Sequence, residues 1–94
     1  MSERTAPALA KLDAFLPLVS SLSASATRTQ LIDEAEGLKR AVAAFHMEAI
    51  RFRMYAVDRM IASVGDPPNV RKVFDELRHA LEDAGFHTRS HAGP

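Results

Sequence analysis

Leu31, Leu38, Phe45 and Phe52 stand seven residues apart, and Ala35, Val42, Ala49 and Ala56 follow each of them by four. Alternating spacings of four and three mark a helix that lays one side along another helix, with small residues allowing close approach and large ones filling the next layer. From Ala43 a second apolar series begins: Met47, Ile50, Met54, Val57 and Ile61, again at spacings of four and three. One helix carrying both series must be covered from two directions. That requirement constrains the fold more than any other feature of the chain.

The periodic pattern extends from Thr27 to Val64 and is stopped by Gly65-Asp66-Pro67-Pro68. Thr27 with Gln30 three residues on fits a capping box, and Asp33, Glu34 and Glu36 place negative charge near the positive end of the dipole. About 37 residues at ~1.5 Å each give a helix of roughly 55 Å. A compact monomer of this length has a diameter of only about 32 Å. The expectation is an elongated fold that relies on partners, the alternative being a bend at Gly37.

Two shorter helices flank the long one. Leu9, Leu12, Leu16 and Val19 make an apolar stripe over about 7–24, with Pro7 tolerated in the first turn and Pro17 expected to kink or split the helix. Val70, Val73, Phe74, Leu77, Ala80, Leu81 and Ala84 make one face of a helix over about 67–84. Asp66 is the expected N-cap, Gly85 the C′ residue, and Phe86 folds back over the last turn. The expected fold is therefore all-α, with three helices in short–long–short order. They form a single domain over 1–86 whose four-helix-type core is completed by oligomerisation, followed by a disordered polar tail over 87–94.

Composition narrows the function classes. There are no cysteines, which removes disulfides and thiolate chemistry. Twelve basic residues balance twelve acidic ones, so the chain lacks the charge of a dedicated nucleic-acid binder. No run approaches the ~20 apolar residues needed to cross a membrane, and Met-Ser-Glu-Arg opens no signal peptide, so a cytoplasmic location is expected.

Few residues suggest chemistry. Glu76 and His79 have the i, i+3 spacing of carboxylate–histidine metal sites, but His79 falls on the polar side of its helix, and solvated surface residues are the better reading. His46, Glu48, Arg51, Arg53 and Tyr55 form a candidate polar site beside the second apolar series, which Arg59 could extend toward a phosphate or carboxylate. Pairing of Glu48 with Arg51 within the helix accounts for the charges more simply. No catalytic motif, cofactor loop or metal-ligand cluster is evident.

The sequence thus points to a small homo-oligomeric interaction module, an adaptor, assembly factor or chaperone-like protein without evident catalysis. Its self-contact or protein-partner interface is expected at Met47, Ile50, Met54, Val57 and Ile61. The alternative is a ligand- or metal-binding helical protein, or small enzyme, with its site between chains.

Overall fold

The helix expected over 27–64 ends at Ala44. The computed structural model describes residues 4–86 and contains four helices: α1 (Ala6–Ser20), α2 (Ala26–Ala44), α3 (Met47–Ser63) and α4 (Pro68–Asp83). This corrects the short–long–short order with its single long central helix. The chain has a radius of gyration of 12.5 Å and extents of 34 × 32 × 20 Å, which leave no room for a straight helix of the expected length.

The break has a specific cause. Phe45 adopts the left-handed conformation, with φ 49° and ψ 45°. Its N–H donates to the Val42 carbonyl at 2.9 Å, and the His46 N–H reaches back to the Ala41 carbonyl at 3.0 Å. These two bonds close α2 with the cap that usually has glycine at the left-handed position. His46 then opens α3, its Nδ1 accepting from the Ala49 N–H at 3.3 Å. The turn needs only two residues, so α2 and α3 form a tight antiparallel hairpin.

The other ends follow related rules. Gly65 (φ 94°) and Gly85 (φ 98°) close α3 and α4, with Asp66 N–H bonded to the Ile61 carbonyl and Phe86 N–H to that of Leu81, each at 2.9 Å. Phe86 is buried. Ser25, rather than Thr27, caps α2, its side chain accepting from the Arg28 N–H at 3.0 Å. Asp66 does not cap α4; it has φ 54° and instead accepts from Arg71 Nε at 2.8 Å. Pro17 lies inside α1 without splitting it.

The core draws on all four helices. Leu12, Phe15 and Val19 of α1 meet Leu31, Leu38 and Val42 of α2, Ile50, Val57 and Ile61 of α3, and Val70, Phe74, Leu77 and Leu81 of α4, all fully buried. The Phe15 and Phe74 rings lie 6.1 Å apart and tilted by 45°, within the favourable range for aromatic pairs. The four-helix core expected from two chains is therefore made within one. Among the described residues four ion pairs join neighbouring helices: Asp13–Lys39, Glu34–Arg53, Asp58–Arg71 and Lys11–Glu76. Such exposed or half-buried pairs contribute about 1 kcal/mol each and chiefly select the arrangement. Helices α1–α2, α2–α3 and α1–α4 pack closely, whereas α3 and α4 meet sparsely. That seam is the open side of the bundle.

Gly37 is buried at the α2–α3 contact. A Cβ placed there would lie 2.9 Å from Arg53 Cζ, so glycine lets the guanidinium cross α2 and reach Glu34 at 2.8 Å. Gly37→Ala in an Arg53→Ala background should gain the helix propensity of alanine, about 0.5–1 kcal/mol in urea unfolding. With Arg53 present the gain should shrink or reverse; equal gains in both backgrounds would contradict the crossing.

The hairpin itself is testable by pulsed electron paramagnetic resonance, since the chain has no native cysteine to remove. Nitroxides at Thr29 and Ser63, both exposed, should lie within about 20 Å of each other in chains diluted with unlabelled protein. An unbroken helix would separate them by roughly 50 Å.

Candidate functional site

Among the described residues three large apolar side chains remain exposed, and all are on α3: Met47 at 36%, Phe52 at 66% and Tyr55 at 60% of their full accessibility. Phe52 and Tyr55 sit beside the open seam. A groove of about 490 Å³ lies there, lined by Glu48, Arg51, Phe52, Met54, Tyr55 and Asp58 of α3 and by Arg78 of α4. Met54 is nearly buried, and the other α3 side chains form one wall.

The charged groups of this surface are held in place by local contacts. The Arg51 guanidinium lies 5.8 Å from the centre of the Phe86 ring, and its Nε is buried without an acceptor among the described residues. Arg78 stacks 5.1 Å over Phe74 and donates to Asp75 at 3.0 Å. Arg59 donates to the Tyr55 hydroxyl at 3.0 Å and covers that ring at 5.7 Å; the hydrogen bond raises the guanidinium pKa above its ordinary value. Arg71 bridges Asp58 and Asp66. Partial burial pulls its pKa down, but the two carboxylates outweigh that effect and the net shift is upward. Arg59 and Arg71 are therefore fixed cations at any pH of interest.

The five residues of the expected polar site divide. Glu48, Arg51 and Tyr55 come together on the groove wall. Arg53 points the other way, to Glu34 on α2, and His46 serves at the corner as the cap of α3. The Glu48–Arg51 pair does not form; among the described residues Glu48 has no hydrogen-bond or ion-pair partner. Glu76 pairs with Lys11 at 3.1 Å and His79 approaches Glu82 at 3.6 Å. Among the described residues no group of three His, Asp or Glu is placed to hold a metal ion.

The expected interface residues also divide. Ile50, Met54, Val57 and Ile61 lie inside the single chain, covered by its own helices, and only Met47 reaches the surface. Phe52, whose heptad position placed it against another helix, is the most exposed of the large apolar residues among those described. Once the helix breaks at Phe45, the series from Leu31 no longer continues onto the face that α1 covers. The sequence does carry a signal for this: Glu48, Arg51, Asp58 and Arg59 surround Phe52 and Tyr55 on the helical surface. Arg78 comes from α4 and had no sequence signal linking it to this site.

Comparison with protein-family models, with curated proteins and with solved structures gave no match. No helix among the described residues is long and apolar enough to cross a membrane.

Two glutamate substitutions separate core from surface. Ile50→Glu places a carboxylate among fully buried side chains, at a penalty of several kcal/mol against a total stability of about 5–15 kcal/mol, so the variant should be unfolded or molten by circular dichroism. Phe52→Glu should keep its helicity and change dilute-solution stability by only about 0.5 kcal/mol. Similar losses in both variants would show that Phe52 belongs to the core.

Proposed function

We propose that the chain is a small helical interaction module, of the adaptor, assembly-factor or chaperone-like kind, whose activity is a protein contact made by the outer face of α3. The observation that carries this reading is the pair Phe52 and Tyr55, both more than half exposed on one helix at the edge of a groove. Aromatic side chains grouped at the surface and rimmed by arginines and carboxylates have the composition of an interface centre and its rim. The rest of the chain acts as a scaffold: α3 is packed closely against α2 and only sparsely against α4, which leaves its outer face open.

Charge decides between a protein contact and a small anionic ligand. Two arginines in the groove are matched by two carboxylates, Glu48 and Asp58. An anion would find no excess positive charge there, whereas a surface of alternating charge suits another mixed-charge protein surface.

Site-specific photo-cross-linking in cells that express the chain tests the reading. A photoreactive residue replacing Phe52 should give discrete protein adducts, and one replacing Ala14, exposed on α1, should give none. Adducts at neither position, or equally at both, would contradict a contact surface on α3.

A further inference from the structure

We infer that the occupant of the α3 face is a second copy of this chain, with the two α3 helices antiparallel about a two-fold axis passing between Arg53 and Met54. This rests on the reading of the α3 face as a contact surface and adds the identity of what covers it.

Glu48, Phe52, Tyr55 and Arg59 follow one another at spacings of four, three and four, the stripe that one helix offers another. Three of them are among the exposed residues that an intact monomer leaves uncovered, with Glu48 the fourth at the helix start. Antiparallel pairing about the stated axis brings Phe52 against Tyr55 of the second copy, and the two-fold repeats that contact. The same operation brings Glu48 against Arg59 of the second copy. One end of the stripe is acidic and the other basic, so an antiparallel copy matches both ends, while a parallel copy would set like charges side by side.

The flanks agree with this register. On the groove side, Arg51 comes near Asp58 of the second copy, again as opposite charges and again twice. Asp58 already binds Arg71, but a carboxylate has acceptor positions for both. On the other flank stand Ala49 and Ala56, small and half-buried, which allow the helix axes to approach. Arg59 uses one donor on Tyr55, leaving the rest of its five N–H groups for Glu48 of the second copy. Glu48, without an ion pair among the described residues, gains one.

The face is short. Seventeen residues span about 25 Å, at the small end of specific interfaces, so the dimer should be reversible with a dissociation constant on the order of micromolar.

Sedimentation equilibrium of the full chain, from low to high micromolar, provides the test. The unmodified chain should fit a monomer–dimer equilibrium, and Phe52→Glu should be monomeric with unchanged helicity. Glu48→Lys alone and Arg59→Glu alone should each weaken the dimer about tenfold, because each places two like-charged pairs in the interface. Mixed together, these two variants should form a heterodimer at least about tenfold tighter than either homodimer, since every pair across it is again of opposite charge. A variant that fails to fold is identified by circular dichroism, and Glu48→Gln mixed with Arg59→Gln then replaces the pair, the mixture being expected to associate a few-fold more tightly than either component because it restores one Glu48–Arg59 pair that neither homodimer has. A chain that stays monomeric throughout would overturn the second copy while leaving the cross-linking result to decide on a foreign partner. A dimer indifferent to Phe52→Glu, or a mixture no tighter than its components, would overturn this face and register.

Discussion

Phe45 holds a backbone conformation in which an L-amino acid is disfavoured by roughly 1–2 kcal/mol, and its neighbours make that conformation the stable one. The two carbonyls of Ala41 and Val42 that would be orphaned at the end of α2 are bonded through the turn. His46 supplies a side-chain acceptor at the start of the next helix. The Phe45 ring is half-buried against the core and lies 5.9 Å from the Arg4 guanidinium at the start of α1. Several weak gains, each of about 1 kcal/mol, thus oppose one local strain.

From that corner follows what is inside the molecule and what is outside. A straight α2–α3 helix would leave two apolar faces needing cover from elsewhere. Folded into a hairpin, the same residues cover each other, and Ile50, Val57 and Ile61 enter a core shared with Phe15 and Phe74. Gly37 and Arg53 fit together at the close approach, with Glu34 receiving the guanidinium beyond it. What remains uncovered is the opposite side of α3, where Phe52 and Tyr55 stand between acidic and basic ends. This exposed aromatic face is a by-product of folding: the hairpin buries most of one apolar series and exposes part of the other.

How much of this was legible depended on which chemistry marked each feature. The helix ends at Gly65 and Gly85 could be read because glycine is the usual residue at a left-handed cap, and both have positive φ. Phe45 could not, because an aromatic residue at a heptad position reads as continued helix, and the strain is supported by contacts that exist only in the fold. Pro17 misled in the opposite direction, since α1 runs through it. Within the site, Glu48, Arg51 and Tyr55 were visible as a polar strip, and their shared helix keeps them together. Arg53 belonged to the same strip by sequence, but Gly37 opened a path to Glu34 that no periodicity reveals. The buried and exposed members of the two apolar series were exchanged for a single reason: breaking one helix reassigns every face beyond the break.

The central claim is that the chain turns at Phe45 and returns α3 along α2. Its most direct measurement is the nuclear Overhauser contact between the Gly37 α-protons and the Arg53 side chain, taken as an intramolecular signal in labelled chain diluted with unlabelled protein. The structure places the guanidinium about a van der Waals contact from Gly37, so the cross-peak should be strong, with a positive φ at Phe45 in the coupling constants. In an unbroken helix the two residues lie about 24 Å apart. No cross-peak, together with helical contacts running continuously from Val42 to Ala49, would contradict the account.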